Sequence, residues 1–248
     1  MLYTLFSPSE AKDEGGALPS LNSKSFIFPL LYEKRLELLQ KFENYKNSLN
    51  EKELLEFFEL KSLCETSELR GSVFELQTQK AILRYTGVAY KALDFYSLDN
   101  PAKEYLLNQV VIFSNLFGAV LAKDEIPNYK LKQGAKIDGV DAAKYYSKEF
   151  STSLDAMFEG CEILDLRAGY YEKFYKPKVK TLKPKFIKSG KIVSHNAKEH
   201  RGLFLREVAN AKASNINDIM KINMTNLTLV EVIEKGDCLE PVFETNIH

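Results

Sequence analysis

The pattern of apolar and polar positions predicts short buried strands that alternate with amphipathic helices. Continuous apolar runs, typical of buried strands, occupy residues 2–6, 109–113 and 162–166. Apolar side chains at helical spacing occupy residues 30–49, 88–98, 141–157 and 196–213. Because strands and helices alternate in the first two thirds of the chain, we expect parallel strands there.

Local signals place the ends of several elements. Asn50 followed by Glu53 predicts a capping box that opens a helix, and Asn100 before a proline predicts another helix start. Hairpins are indicated around residues 189–190, between strands at 181–188 and 191–194, and around residues 235–237. Late hairpins beside early parallel strands predict a mixed sheet flanked by helices. We therefore expect one mixed α/β (α+β) domain over residues 1–248.

Composition limits the class of protein. Hydrophobic residues make up 45% of the 248 positions, and 34 Lys plus Arg balance 34 Asp plus Glu. This mixture excludes a disordered chain and a protein that is basic over its whole surface. The three cysteines form no CxxC pair, which favours a reducing compartment. With no signal-peptide pattern and no long apolar run, we expect a cytoplasmic protein with no membrane partner.

The zero net charge conceals a segregated distribution. Residues 173–212 contain twelve basic and two acidic residues, a net charge of +10, so the remainder of the chain carries −10. A basic stripe of this kind neutralises phosphates, which favours an anionic partner such as nucleic acid. The alternative is a solvated edge strand, because lysines protect exposed sheet edges from pairing with other strands.

Polar residues follow several predicted strands, where open α/β sheets usually bind ligands. Lys198 and Arg201 lie near a predicted helix start, which suits a phosphate group. Glu10, Asp165 and His195 could supply acid/base groups if they converge. His195 and the histidine five residues later do not share a helix face, and no nucleotide-binding glycine motif is present. We expect no metal and no cofactor.

Five segments taken together resemble the peroxide stress protein YaaA family. Their sequences are FSPSEAK (residues 6–12), RYTGVAYKAL (84–93), SNLFGAVLAKDEIPNYKL (114–131), LDLRAGYY (164–171) and VSHNAKEHRGLF (193–204). The resemblance implies a bacterial protein that limits damage during hydrogen peroxide stress and is connected with intracellular iron. It also implies double-stranded DNA binding, a helix-hairpin-helix-like element and a positively charged cleft.

The resemblance includes two departures in its central motif. Leu121 stands where the family usually has arginine, and Asn115 stands where relatives often have a second glycine. The first removes a candidate phosphate contact. The second bears on the expected helix-hairpin-helix turn, although asparagine tolerates left-handed geometry as well.

These observations lead to three functional hypotheses. In the first, duplex DNA or a small phosphorylated ligand contacts Ser7, Lys12, Arg84, Tyr129, Arg167, Lys183, Lys185, His195, Lys198, Arg201 and Arg206, with no catalytic residue. In the second, an enzyme acts on a nucleotide, a nucleic acid or another phosphorylated molecule with Glu10, Asp165, Arg167, His195 and Lys198. The third is a protein-interaction scaffold. A deep pocket joining the charged groups would favour the second hypothesis, and a shallow groove the first.

Overall fold

Strands and helices alternate in the computed structural model, which describes residues 1–62, 69, 71–188, 190–192 and 197–245. The strands are β1 (Leu2–Phe6), β2 (Thr78–Lys80), β3 (Val110–Ser114), β4 (Gly118–Leu121), β5 (Glu125–Pro127), β6 (Lys136–Ile137), β7 (Val140–Asp141), β8 (Glu162–Asp165), β9 (Thr181–Leu182), β10 (Lys185–Lys188), β11 (Lys191–Ile192), β12 (Leu227–Lys235) and β13 (Cys238–Thr245). The helices are α1 (Tyr32–Ser48), α2 (Glu51–Phe58), α3 (Ala81–Arg84), α4 (Val88–Leu93), α5 (Asn100–Gln109), α6 (Ala142–Phe158), α7 (Ala197–Ala211) and α8 (Ile216–Met220).

The main sheet is mixed, as the sequence predicted. Its order is β11-β10-β13-β9-β8-β1-β3-β4, and β12 pairs with β13 outside this path. The strands β3, β1, β8, β9 and β13 are parallel to their neighbours in that series, whereas β4, β11 and β12 pair antiparallel. The predicted fold class, a mixed α/β architecture, is therefore confirmed.

The strand β1 occupies a central position in this sheet. It pairs in parallel with β3 on one side and with β8 on the other, so that Leu5 lies beside both Val111 and Asp165. Every residue of β3 is buried, and Leu2, Leu5 and Phe6 of β1 are less than 3% exposed. Burial on both faces explains why these strands are continuous apolar runs in the sequence rather than alternating ones.

Most of the predicted local signals are confirmed. The Asn50 side chain accepts from the Glu53 N–H at 3.1 Å, and the Glu53 carboxylate accepts from the Asn50 N–H at 2.9 Å. The hairpins β10–β11 and β12–β13 form around Gly190 and Gly236, both with positive φ. Glycine adopts this left-handed geometry without the steric penalty that a side chain would incur.

Three predicted boundaries were wrong. Asp99, not Asn100, caps α5, because its carboxylate accepts from the Ala102 N–H at 2.8 Å. The helix predicted over residues 88–98 ends at Leu93, since Asp94 adopts left-handed geometry and a 3-10 turn follows. The strand predicted over residues 181–188 is divided into β9 and β10, with a proline at position 184 between them that cannot donate to a ladder.

The central motif forms β-structure. Residues 115–117 make a tight turn between β3 and β4, which pair antiparallel from Ser114 and Gly118 onward. Gly118 has a φ of +69°, and an added Cβ would lie 2.6 Å from the Tyr146 ring. The expected helix-hairpin-helix turn therefore does not lie in this segment, because Asn115 and Leu121 belong to a β-hairpin.

Candidate functional site

A pocket of about 350 Å³ lies beyond the carboxyl ends of β1 and β8. Because these parallel strands are adjacent, the loops that follow them meet at one edge of the sheet. The apolar wall includes Phe6, Val88, Leu166 and Tyr171. The polar lining comes from Ser7, Ser9, Glu10, Gln133, Lys198 and Arg201. Five segments far apart in sequence therefore contribute to one concave surface.

Two glycines allow the walls of this pocket to approach each other. A Cβ on Gly87, which precedes α4, would lie 2.0 Å from the Ser9 hydroxyl. A Cβ on Gly202 in α7 would lie 2.0 Å from the Ala89 carbonyl oxygen of α4. Real Cβ atoms do not come so close to other heavy atoms, so each glycine is required for the observed packing. These contacts position the start of α4 and the start of α7 on either side of the pocket.

Ser7 joins the loop after β1 to its surroundings. Its hydroxyl accepts a hydrogen bond from the Ala168 N–H at 2.8 Å, and its carbonyl accepts one from the Tyr90 hydroxyl at 2.8 Å. The loops that follow β1 and β8 are thereby held together at the pocket. This arrangement fixes the position of Ser7 in the pocket wall.

Lys198 and Arg201 provide the positive charge of the pocket. Lys198 is exposed and Arg201 is half-buried on the first turns of α7. Within the described ranges, neither side chain forms an ion pair within 4 Å. Burial lowers the pKa of Arg201, and the nearby carboxylates of Asp165 and Glu172 oppose this effect. Two cations that bind no carboxylate of the described residues thus face the pocket, where they could contact an anionic ligand.

Lys12 lies next to this pocket. Its ammonium nitrogen is 4.3 Å from the centre of the Tyr129 ring and donates to the Glu10 carbonyl at 3.2 Å. Burial lowers the pKa of Lys12 to about 7, and the neighbouring charges of Lys130 and Arg84 act in the same direction, whereas Glu10 opposes them. The Tyr129 ring also opposes the shift, because an aromatic face favours a charged ammonium.

Comparisons with known proteins place the chain in a family. The family model described as peroxide stress protein YaaA matches residues 1–232. The chain belongs to the peroxide stress protein YaaA family. A curated relative from Campylobacter jejuni, described as an uncharacterized protein, is 43% identical over 240 residues and covers 97% of this chain and 98% of its own length.

More distant relatives agree with this assignment. A UPF0246 protein of Corynebacterium efficiens is 31% identical over 84% of this chain and 85% of its own length. A UPF0246 protein of Streptomyces coelicolor is 32% identical over 84% of this chain and 82% of its own length. The resemblance inferred from the five motifs is therefore confirmed at the level of the YaaA family.

The pocket gathers residues from four of the five YaaA-family motifs. Ser7 and Glu10 come from the first motif and Val88 from the second. The fourth motif contributes Ala168, and the fifth contributes Lys198 and Arg201. Ser9 of the first motif also lines the pocket, and so does Gln133, which the sequence did not indicate as a site residue. A single glutamine in a loop gives no sequence signal that could have identified it.

Several predicted contact residues of the YaaA-family motifs are enclosed by the protein. The Arg84 guanidinium is fully buried and donates to the carbonyls of Asp13, Gly15 and Ile126. Tyr129 is 3% exposed, and its hydroxyl bonds to those of Ser114 and Tyr85 at 2.8 and 2.9 Å. A phosphate outside the protein cannot reach these groups, so we assign both to the fold.

Asp165 and Arg167 form a buried pair. The guanidinium donates to both carboxylate oxygens, at 2.9 and 2.7 Å, and to the carbonyls of Tyr171 and Tyr175. Asp165 is 5% exposed and Arg167 is 3% exposed. The pair satisfies its own charges and connects the end of β8 to residues 171–175. We therefore remove Asp165 from the acid/base candidates and Arg167 from the phosphate contacts.

Four of the eight lysines in the lysine-rich segment, residues 173–191, form ion pairs with carboxylates from other parts of the chain. Lys183 bonds to Glu172 at 2.8 Å, and Lys185 bonds to Glu240 at 2.9 Å. Lys178 pairs with Asp155 at 2.6 Å, and Lys180 pairs with Glu162 at 3.4 Å. The expected continuous basic strip is therefore interrupted by acidic partners.

Of the remaining predicted residues, Arg206 and Glu10 lie in the described part of the chain. Arg206 donates to the carbonyls of Leu93 and Asp94 at 2.8 and 3.0 Å, so it holds α7 against the end of α4. His195 lies outside the described residues. Glu10 is exposed at the pocket, and of the three acid/base candidates it is the one that the described structure places there.

Proposed function

We propose that this YaaA-family protein acts in the response to hydrogen peroxide by binding duplex DNA at the face around Lys198 and Arg201. The observation that carries this proposal is that Lys198 and Arg201, at the start of α7, form no ion pair within 4 Å with the residues that the structure describes. Phosphate oxygens are the partners that such groups favour, and displacement of counterions makes the binding favourable. The motif resemblance supplies the expectation that DNA is the source of the phosphates.

The pairing of the lysine-rich segment narrows the proposed contact surface. Each lysine that already bonds to a carboxylate would have to break that bond before it could neutralise a phosphate. Lys183 and Lys185 therefore contribute less than the sequence suggested. Exposed lysines without a bound carboxylate in the described structure, such as Lys176 and Lys173, extend the proposed surface beyond α7.

The test is the salt dependence of duplex binding. Each phosphate contact contributes about −0.9 to the slope of log affinity against log salt on duplex DNA. The variant Lys198→Ala/Arg201→Ala should therefore flatten that slope by about 1.8. The matched control is Lys178→Ala/Lys180→Ala, which removes the same charge from lysines that are bound to Asp155 and Glu162. Fluorescence anisotropy with a short labelled duplex measures the salt slope of each variant.

Two results would contradict the proposal. One is a parent protein that fails to bind duplex DNA at low salt. The other is a Lys198/Arg201 double variant whose slope equals that of the control. A cell assay tests the same proposal. In cells that lack the native protein, the Lys198/Arg201 double variant should restore survival in peroxide less well than the control variant does. The reason is that the proposed DNA binding limits the iron-linked damage that the motif resemblance implies.

A second candidate function has one observation in its favour. The pocket of about 350 Å³ lies within the size range of small-molecule sites, and it brings Ser7 and Glu10 close to two cations. This geometry suits an enzyme that acts on a nucleotide or another phosphorylated molecule. Stabilisation by nucleoside monophosphates in a thermal-shift assay, lost in Arg201→Ala, would favour it over duplex binding. Competition between the monophosphate and the duplex would show that both use one surface.

A further inference from the structure

We propose that the pocket holds one nucleotide, with its phosphate at Lys198 and Arg201 and its base at the wall that carries Glu10. At that wall the carboxylate selects bases with an exocyclic amino group. This proposal rests on the part of the proposed function that makes Lys198 and Arg201 phosphate contacts. It adds the portion of the ligand that the two cations do not recognise, and it makes Glu10 a specificity-determining residue.

The charged groups of the pocket lie on different walls. Lys198 and Arg201 are on the first turns of α7, whereas Glu10 is on the loop that follows β1. As far as the described ranges extend, the Glu10 carboxylate forms no ion pair within 4 Å, and neither do the two cations. The described residues therefore leave an acceptor free on one wall and positive charge free on another. A ligand that satisfies both must carry an anionic group and, at some distance from it, a hydrogen-bond donor.

Two further pocket residues suit the polar edge of a base. The Gln133 amide and the Ser9 hydroxyl can each donate and accept hydrogen bonds. An ionised carboxylate such as that of Glu10 only accepts, so an amino group is the base substituent that it favours. A base without an amino group leaves the carboxylate without that bond.

The apolar lining matches the faces of a base. Phe6, Leu166 and Tyr171 are at most 5% exposed and form a wall that is already buried by the fold. Val88, at the start of α4, is 53% exposed although it lines the same pocket. A planar base that covers Val88 removes apolar surface from water, which is favourable. A compact phosphate ester with a charged amine would instead lose hydration against these side chains.

The size of the pocket limits the ligand. Its volume of about 350 Å³ is near the lower end of the range for small-molecule sites, which suits one nucleotide. The combination of cations, apolar walls and a free carboxylate therefore corresponds to the phosphate, the faces and the amino-bearing edge of a single nucleotide.

Pairs of free nucleotides test the selectivity. GMP and IMP differ only in one amino group that is replaced by hydrogen, and so do AMP and purine riboside 5′-monophosphate. CMP and UMP are the pyrimidine pair, in which a carbonyl replaces the amino group. Isothermal titration calorimetry on the full chain should give about tenfold tighter binding of the amino-bearing member, the discrimination expected for a hydrogen bond to a charged group. The pair that discriminates identifies the base, and equal affinities within all three pairs would overturn the proposal.

Variants separate the base contact from the phosphate contact. Glu10→Ala should abolish the discrimination, whereas Arg201→Ala should weaken both members of a pair by the same factor. The matched control is Glu14→Ala, which removes the same charge from an exposed side chain that does not line the pocket. A discrimination that persists in Glu10→Ala, or nucleotide binding that is unchanged in Arg201→Ala, contradicts the proposal. So does tighter binding of O-phosphoethanolamine than of any nucleotide, because that probe carries a phosphate and an amine without a base.

A fluorescent duplex identifies the source of the nucleotide. A base extruded from a DNA strand presents the same groups as a free nucleotide. A duplex with one 2-aminopurine, which fluoresces more strongly when it leaves the base stack, distinguishes the two sources. A rise in fluorescence on binding that is reduced in Glu10→Ala assigns the nucleotide to DNA. Amino-selective binding of free nucleotides without such a rise assigns it to a free nucleotide.

The salt slope of intact duplex binding is measured separately. If the parent protein fails to bind duplex DNA but binds nucleotides with the expected selectivity, the proposed DNA function is wrong and the nucleotide site stands. If duplex binding depends on Lys198 and Arg201 but no nucleotide pair is discriminated and 2-aminopurine fluorescence does not rise, the nucleotide site is wrong and the DNA function stands.

Discussion

Replacing Arg167 with methionine is predicted to destabilise the fold by about 3–5 kcal/mol, because it breaks a buried ion pair from one side. Methionine fills much of the volume of the arginine stem, but it carries no charge and donates no hydrogen bonds. Asp165 would remain buried with its charge, and it would retain the bond from the Arg167 backbone N–H at 3.1 Å. The variant therefore tests whether Arg167 serves the fold or a ligand.

The magnitude follows from the groups that lose a partner. The guanidinium donates two bonds to Asp165, at 2.9 and 2.7 Å, and one each to the carbonyls of Tyr171 and Tyr175, at 3.1 and 2.9 Å. It also lies 4.7 Å from the Phe113 ring centre. Each stranded buried acceptor costs about 1–3 kcal/mol, and small rearrangements recover part of that sum. A net loss of about 3–5 kcal/mol is a large part of a typical folding free energy of about 5–15 kcal/mol.

Urea denaturation followed by circular dichroism measures the effect. With an m-value of about 3 kcal/mol/M, the urea midpoint should fall by about 1–1.7 M. The double variant Asp165→Asn/Arg167→Met should lose less stability than the sum of the two single variants, since the second change relieves the stranded charge. If Arg167→Met unfolds at the parent midpoint and instead weakens duplex binding, the assignment of Arg167 to the fold is wrong.

Three further predictions concern stability. Gly202→Ala should destabilise the fold by about 1–3 kcal/mol, because the new Cβ would lie 2.0 Å from the Ala89 carbonyl oxygen. The control is Gly169→Ala, whose new Cβ would have its nearest neighbour at 3.6 Å and should change the urea midpoint little. Burial raises the pKa of Asp124 to about 6, so its contribution favours folding at low pH and is lost as the pH rises through about 6. Asp124→Asn should remove that dependence, which amounts to about 2 kcal/mol between pH 4 and pH 7 in urea denaturation. An unchanged pH profile would contradict the assignment. Asn50→Ala should cost about 1 kcal/mol through loss of the α2 cap, measured in the same way.

How much of the fold could be predicted from the sequence depended on how many residues separate the groups that form each feature. The capping box of α2 and the hairpins at Gly190 and Gly236 were readable because all the interacting groups lie within a few residues. The end of α4 at Leu93 was not, since the left-handed geometry of Asp94 has no clear marker in the sequence. The proposed site was recognisable in part from its motifs, but the composition of the pocket was not.

Long-range pairing explains why several cations that the sequence suggested as phosphate contacts already have partners within the fold. Lys185 bonds to Glu240, 55 positions away, and Lys178 bonds to Asp155, 23 positions away. Arg84 donates to the Ile126 carbonyl across 42 positions. A sequence read locally shows each of these side chains as an available cation, although the fold has already supplied its acceptor.

The sequence by itself determined the family, the mixed α/β class and the presence of positive charge in the last third of the chain. Only the tertiary structure decided which cations remain available, because that depends on the acceptors that the fold brings to each side chain. It assigned Arg84 and Arg167 to the interior and placed Lys198 and Arg201 at a pocket. It also surrounded Lys12 with aromatic rings. Burial and pairing are properties of the folded chain, and they determine which charged groups can bind or react.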